Sequence, residues 1–192
     1  MSLFQIKDAA TVANIECTPH KKSVNGWNVC YGTLSTNVAR KYVAFDFPIM
    51  NAPFENCNPP KNAKSKLRSL TVDFKQEDTN LELQALRVLL ESAHGHLVVL
   101  CTALNGGQAA TVAPLIKPSK DIDYYDLISL RFWPGAAKFF GDSNQPLLEQ
   151  HITDFRDYRV KVQVVLKDIW LHNGVYFPRL FLRKCTLAPK ED

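Results

Sequence analysis

The segment RVKVQVVLKDIWLHNGVYFPRLFLRKC, residues 159–185, carries the clearest folding signal in the chain. Its even positions are apolar on both sides of a central turn: Val160, Val162, Val164 and Leu166, then Leu180 and Leu182. Its odd positions include a row of polar or cationic residues, Arg159, Lys161, Gln163, Lys167, Arg179 and Arg183, with the ring of Phe181 among them. Alternation with a period of two is typical of a strand with one buried face, and two such runs predict a β-hairpin. The Asn173-Gly174 pair fits the turn, because tight hairpin turns need positive φ angles.

Composition and charge limit what kind of protein this sequence can form. The chain has 192 residues, of which 46% are hydrophobic, and this is enough apolar material for one packed domain spanning 1–192. Its 23 Lys and Arg residues exceed its 19 Asp and Glu residues by only four. An anionic partner would therefore have to be bound by a local cationic patch rather than by the overall charge.

The cysteines and the first residues of the chain predict an intracellular protein. The chain has five cysteines that stand far apart, and no Cys or His pair has the spacing of a zinc site. We therefore expect free thiols in a reducing compartment. The sequence has no apolar run of transmembrane length and no signal peptide at its start, so we expect no membrane partner.

The rest of the pattern predicts a mainly β fold with a minor helical part. Strands are expected at 27–35, 40–50 and 126–135, and a second hairpin is expected from 96–104 and 109–116. A basic loop is expected at 51–68, and short extensions precede and follow the core. Because strands and helices do not alternate regularly, a small Greek-key barrel or a sandwich is favoured over a doubly wound sheet.

One helix is predicted, at 79–93, between the middle strands. Thr79 and Glu82 have the spacing of a capping box at its start, and His94-Gly95 would end it. Its buried stripe is predicted to consist of Leu81, Ala85, Val88 and Leu89.

Signals for catalysis or cofactor binding are weak. Asp121, Asp123 and Asp126 could hold a divalent cation, but the glycine and the distal glutamate of a calcium loop are missing. The sequence contains no phosphate-binding loop and no nucleophile elbow. We therefore predict no enzymatic activity, no metal and no cofactor. A metal-dependent nuclease built on these aspartates is the weakest alternative.

A face that combines cations with aromatic rings recurs on the predicted strand 126–133. Its apolar face contains Ile128, Leu130 and Phe132, and its other face contains Ser129, Arg131 and Trp133. Tryptophan is costly to expose to water, so a ligand or another part of the chain should cover it. Single-stranded nucleic acid fits this face, because its phosphates attract cations and its bases stack on aromatic side chains.

The C-terminal third resembles a family of nucleic-acid-binding proteins. The stretch 154–187, with Trp170 near a strand end and the turn Gly174-Val175-Tyr176, is similar to the last hairpin of the OB-fold single-stranded DNA-binding proteins of T7-type phages and large DNA viruses. The helix between the middle strands is a further similarity. The resemblance implies an OB-like Greek-key β-barrel with one packed helix and long loops. Members commonly end in a long acidic tail that recruits replication proteins, whereas this sequence ends in Ala-Pro-Lys-Glu-Asp, which leaves such partners open.

We therefore expect the protein to bind single-stranded nucleic acid with little regard to sequence, and we expect that nucleic acid to be DNA. The expected setting is viral or phage replication or recombination. This would occur in the cytoplasm or nucleus of the infected cell, and homo-oligomerisation stays open. The residues expected to neutralise phosphates are Arg131, Arg159, Lys161, Arg179 and Arg183, with Lys64 and Lys66 from the loop. The residues expected to stack on bases are Trp133, Phe181 and Tyr42. The alternative is a virus capsid or matrix protein with a jelly-roll or sandwich fold, in which the exposed rings would form subunit contacts.

Overall fold

In a computed structural model of the chain, the described residues form eleven strands and one long helix. It describes residues 2–24, 27–37, 41–54, 67–75, 77–119, 125–152 and 154–190, without the side chains of 21–24, 27–31 and 151. The strands are β1 (Leu3–Gln5), β2 (Ile15–Val24), β3 (Trp27–Thr36), β4 (Tyr42–Asn51), β5 (Arg68–Asp73), β6 (Thr111–Val112), β7 (Leu127–Phe132), β8 (Lys138–Phe140), β9 (Pro146–Leu147), β10 (Tyr158–His172) and β11 (Val175–Pro189). The α-helices are α1 (Ala9–Val12) and α2 (Leu81–Leu104), and 3₁₀ turns lie at Glu77–Thr79, Glu149–His151 and Phe155–Asp157.

The hairpin predicted in the C-terminal third is present as β10 and β11. Asn173 and Gly174 have φ angles of 49° and 77°, as the two central residues of a type I′ turn require. The apolar side chains at the even positions quoted above are each at most 4% exposed. The burial is less regular than strict alternation, because Val165 and Ile169 are also buried. The buried phase of β11 also shifts by one residue, from Leu182 to Cys185.

The strand order confirms a mainly β fold with one packed helix. Five strands follow one another around a ring, in the order β10, β4, β5, β7 and β11, because β11 also pairs with β10. Two of its pairings, β4–β5 and β10–β11, join strands that are consecutive in the sequence, whereas β10–β4, β5–β7 and β7–β11 join more distant segments. The arrangement is compatible with the OB-like barrel that the sequence predicted.

The backbone packs as two compact units, of which unit 1 contains Met1–Phe45, Arg87–Leu115 and Val165–Leu180. Its largest pairing is the antiparallel β2–β3 ladder, which runs from Ile15↔Thr36 to Val24↔Trp27. Helix α2 is tied to this unit by two ring nitrogens: Nε2 of His94 lies 3.1 Å from the Val112 carbonyl, and Nε2 of His96 lies 2.8 Å from the Ile15 carbonyl. At Gly32 in β3 an added Cβ would lie 2.1 Å from Sγ of Cys17, so a larger residue there would force that side chain to move.

Unit 2 contains Asp46–Leu86, Ile116–Val164 and Phe181–Asp192. Its central pairing is antiparallel, between β5 and β7, from Arg68↔Phe132 to Asp73↔Leu127. Strand β11 runs parallel to β7 at Phe181↔Arg131 and parallel to β8 at Lys184↔Lys138. Below these strands the ring of Phe139 packs against Phe132 at 5.8 Å and against Phe155 at 5.9 Å between centroids. The unit therefore has an aromatic core of its own.

The predicted second hairpin is wrong, because its first half belongs to helix α2. The helix continues through 96–104 and ends at Leu104, and it is followed by Gly106 and Gly107, whose φ angles are 67° and 85°. A short apolar run such as 96–104 fits a buried strand and a buried helix equally well by its pattern. Only Thr111 and Val112 of the second half form a strand, and it runs parallel to β11.

The predicted cap and buried stripe of the helix are also corrected. The side-chain oxygen of Asn80, not that of Thr79, accepts hydrogen bonds from the amides of Glu82 and Leu83, at 3.0 and 3.3 Å. The buried side chains of the helix are Leu83, Leu86, Leu90, Ala93, Leu97 and Cys101. In contrast, Leu81 is 79% exposed and Val88 is 63% exposed. Of the helices in the described part of the chain, none combines the length and the apolar character needed to cross a membrane.

Candidate nucleic-acid interface

Three neighbouring strands of unit 2 bring one row of side chains together on the solvent side. Arg131 of β7 stands opposite Ser69 of β5 and opposite Phe181 of β11. Residues in register on neighbouring strands project to the same side of a sheet. Their neighbours Leu130 and Leu182 point the other way and are at most 4% exposed, while Arg131 is exposed. The register therefore places a guanidinium beside an aromatic ring on the accessible face.

Trp133 follows this row and is 48% exposed. It begins a turn in which the amide of Ala136 donates a 2.9 Å hydrogen bond to the Trp133 carbonyl. Pro134 and Gly135 occupy the centre of the turn, and the φ of Gly135 is 76°. This combination is a type II turn. The alternation thus indicated correctly that Arg131 and Trp133 are exposed. It also indicated correctly the buried residues of this strand, which are Ile128, Leu130 and Phe132.

Two further cations flank the row, and sequence reasoning missed them. Lys184 stands opposite Lys138 of β8 in a parallel pairing, and Nζ of Lys184 lies 4.6 Å from the centroid of the Phe140 ring. Lys184 occupies an even position, so strict alternation assigned it to the apolar face. The phase shift in β11 leaves both Arg183 and Lys184 half-exposed. We call Arg131, Trp133, Phe181, Arg183, Lys184 and Lys138 the β7–β11 patch.

Arg179, predicted to contact phosphate, makes a compact cluster in unit 1. Its Nε and Nη2 each lie 2.5 Å from an oxygen of Asp168, in a bidentate ion pair. The guanidinium carbon lies 4.4 Å from the centroid of the Trp170 ring. Asp168 is 7% exposed, so this carboxylate is held inside the fold by its arginine. The charge of Arg179 is therefore largely balanced within the chain.

The other predicted contacts lie apart from the β7–β11 patch or outside the described residues. Lys161 is exposed on β10 and Arg159 is half-exposed on the same strand. Tyr42 is half-exposed at the start of β4, where it pairs with Leu3. Lys64 and Lys66 lie outside the described residues, as does most of the basic loop. One acid lies beside the cationic side of β10, since Gln163 donates a 2.8 Å hydrogen bond to Asp46.

The groups considered for catalysis have structural roles or lie outside the described residues. Asp126 accepts a 3.0 Å hydrogen bond from the amide of Ser119, whereas Asp121 and Asp123 are outside the described residues. Within the described ranges, no cluster of three His, Cys, Asp or Glu side chains could hold a metal ion.

The three thiols that the structure describes, Cys17, Cys101 and Cys185, are poorly suited to nucleophilic chemistry. Burial raises the pKa of Cys17 to about 11 and that of Cys101 to about 12, to which the neighbouring Cys17 also contributes. Burial likewise raises the pKa of the Cys185 thiol. The protonated form of each therefore predominates near neutrality, and it is the thiolate that acts as a nucleophile.

The comparisons with known proteins bear on the fold. The sequence matches no protein-family model and no curated protein sequence. Among solved structures, the single-stranded DNA-binding protein of bacteriophage Enc34 in complex with single-stranded DNA matches with a TM-score of 0.54 at 12% identity, over 92% of this chain and 97% of that one. The gp2.5 single-stranded DNA-binding protein of bacteriophage T7 matches with a TM-score of 0.53 at 7% identity, over 78% of this chain and 87% of that one. The chain shares its fold with these phage proteins.

This likeness covers nearly the whole chain, so it extends well beyond the hairpin on which the sequence resemblance rested. A C-terminally truncated form of the Enc34 protein matches equally well, with a TM-score of 0.53 at 13% identity. The resemblance to phage single-stranded DNA-binding proteins is thus confirmed for the fold. At such low identity the likeness shows the fold alone.

Proposed function

We propose that this protein binds single-stranded DNA with little regard to sequence, in the replication or recombination of a phage or virus. The observation that carries the proposal is the β7–β11 patch, where Arg131 stands in register with Phe181 and the exposed Trp133 follows. The fold likeness to the Enc34 protein, a structure of which contains single-stranded DNA, supports the same proposal. No enzymatic step, metal or cofactor is needed for it.

The chemistry of the patch matches the two parts of a single strand. Guanidinium and ammonium groups neutralise phosphates, and they do so without reading the base. The rings of Trp133 and Phe181 offer stacking surfaces, each worth about 1–3 kcal/mol per base. Stacking is sequence-tolerant because every base has a π-face. A duplex hides these faces inside its own stack, so the rings favour single strands.

Within the patch we assign phosphate contacts to Arg131, Arg183, Lys138 and Lys184. Lys161, Arg159, Tyr42, Lys64 and Lys66 remain candidates for a longer path of the strand. Arg179 is the weakest candidate, because Asp168 already balances its charge. The proposal places the protein inside the infected cell with DNA as its partner. Replication proteins and further copies of this chain are secondary candidates as partners.

Binding of oligo-dT is expected to weaken steeply as salt increases. Each phosphate neutralised on a single strand contributes about −0.7 to the slope of log K against log salt concentration. Three or four contacts from the patch give a slope between about −2 and −3. Fluorescence anisotropy of labelled oligo-dT at several salt concentrations measures this slope, and a duplex of equal length is the control. A slope near zero, or equal affinity for the duplex, would contradict the proposal.

The paired residues Arg131 and Phe181 allow charge and stacking to be tested separately. Phe181→Ala should weaken oligo-dT binding by about 1–3 kcal/mol and leave the salt slope unchanged, because stacking is not ionic. Arg131→Ala should flatten the slope by about 0.7, because it removes one phosphate contact. Both are measured by the same titration, with the melting temperature checked for each variant.

The control for this pair is Lys7→Ala, which removes an exposed cation outside the β7–β11 patch. It should change neither affinity nor slope by as much as Arg131→Ala. If all three variants bind like the parent, the patch is a solvated face and the capsid or matrix alternative gains support. Assembly of the pure protein into large species, measured by gel filtration without DNA, would then be the next test.

A further inference from the structure

The backbone around Trp133 does not follow the strand ladder. Arg131 and Lys138 are seven positions apart, whereas their partners on β11, Phe181 and Lys184, are three apart. The connection from β7 to β8 therefore contains four more residues than β11 does over the same span. These extra residues form the exposed turn that begins at Trp133. The β5–β7 pairing ends at Phe132, and the turn that follows lies outside it.

One side chain from a distant part of unit 2 ties this turn to the sheet. Oε2 of Glu149 accepts a 3.0 Å hydrogen bond from the amide of Gly135, the central glycine of the turn. Oε1 of the same carboxylate accepts from Nη1 of Arg68, the first residue of β5. Glu149 is itself anchored, since its carbonyl accepts a 3.1 Å hydrogen bond from the amide of Ile152, which is 6% exposed.

We infer that Glu149 is a positioning residue that holds the Trp133 turn so that the indole is ready to stack on a base. This inference rests on the proposed function and adds a residue that does not itself touch DNA. A bridge with both carboxylate oxygens restrains the turn before binding, and the entropy of ordering is then not lost when DNA binds.

The inference is testable because Glu149 would affect DNA affinity in two opposite ways, through its charge and through its hold on the turn. A carboxylate beside a phosphate-binding patch should weaken DNA binding by repulsion. The side chain is only 15% exposed and is paired with Arg68, which limits that repulsion. Glu149→Gln removes the negative charge and should strengthen binding if charge alone mattered. Weaker binding by this variant therefore requires a structural contribution through the turn.

The experiment is a double-mutant cycle on oligo-dT affinity with Glu149→Gln, Trp133→Ala and both together. Trp133→Ala should weaken binding about 5- to 150-fold, the equivalent of one lost stacking contact. In the parent background, Glu149→Gln should weaken oligo-dT binding by a smaller factor than Trp133→Ala does. In the Trp133→Ala background, it should not weaken binding any further. Asp142→Asn, which removes an exposed carboxylate elsewhere in unit 2, is the control and should bind at least as well as the parent.

Glu149→Asp provides a second variant that keeps the charge but shortens the reach. It should weaken binding as Glu149→Gln does, and it replaces that variant if Glu149→Gln fails to fold. Equal affinity of both variants and the parent would overturn the inference. So would a loss of affinity that persists undiminished in the Trp133→Ala background, because Glu149 would then act on the fold in general.

A readout without DNA separates failure of this inference from failure of the proposed function. The chain has three tryptophans, and Trp133→Phe identifies the indole N–H resonance of Trp133 by NMR. In Glu149→Gln this resonance should shift towards the position of a free indole, while the other two stay in place. If the parent does not bind oligo-dT, the proposed function fails even where the resonance shifts. If the parent binds and the resonance does not shift, only the positioning role fails.

Discussion

Val162→Lys is expected to prevent the protein from folding. Val162 is 2% exposed on β10, so a lysine introduced there would have its ammonium removed from water. Burying an unpaired charge costs several kcal/mol even after relaxation, against a total stability of about 5–15 kcal/mol for a typical domain. The expected result is loss of the cooperative thermal transition, together with aggregation or a greatly reduced yield of soluble protein.

The control for this variant is its neighbour Lys161→Ala. Lys161 is exposed, so its replacement should change the free energy of unfolding by no more than about 0.5 kcal/mol. The contrast between adjacent positions tests the alternation itself, because a shift of one residue would exchange their environments. A Val162→Lys protein that melts like the parent would show that the inner and outer faces of β10 have been exchanged.

Strands with one covered face were the part of the fold that the sequence could predict. In β7, apolar and polar residues alternate from Ile128 to Phe132, and the predicted burial of Ile128, Leu130 and Phe132 is confirmed. Where both faces of a strand are covered, the pattern loses its information. Val164, Val165 and Leu166 are consecutive and all buried, so β10 does not follow a simple period of two at this point.

The buried face of α2 could not be predicted correctly from the first half of the helix. Apolar residues occur on several sides of it, so the set Leu81, Ala85, Val88 and Leu89 fits a helical stripe as well as the set that is buried. Only the full 24-residue helix distinguishes them, because the stripe from Leu83 to Cys101 continues at helical spacing over its length. The strand predicted over 96–104 hid that continuation.

The candidate site was predictable only where its residues belong to one strand. Arg131 and Trp133 lie two positions apart, and their exposure follows from local alternation. Glu149 is missed by sequence reasoning because its partners Arg68 and Gly135 are brought to it by long-range packing. The pairing of Lys184 with Lys138 depends on a register that no local pattern specifies.

Leu90→Ala is expected to cost about 2–5 kcal/mol of unfolding free energy. The Leu90 side chain is fully buried on α2, with 0% exposure, so truncation leaves a cavity that the surrounding side chains fill only in part. Helix propensity acts in the opposite direction but is small, because alanine and leucine are both good helix formers. Urea denaturation with a fixed m-value measures the loss as a lower midpoint concentration.

Leu89→Ala is the matched control, since it removes the same atoms one position along the same helix. Leu89 is half-buried, so less of its apolar surface is returned to water, and its loss should be well below that of Leu90→Ala. Val88→Ala, at a position that is 63% exposed, should change stability by no more than about 0.5 kcal/mol. If Leu89→Ala proved the most destabilising of the three, the buried face of α2 would be the one that the sequence pattern indicated. That result would contradict the burial of Leu90.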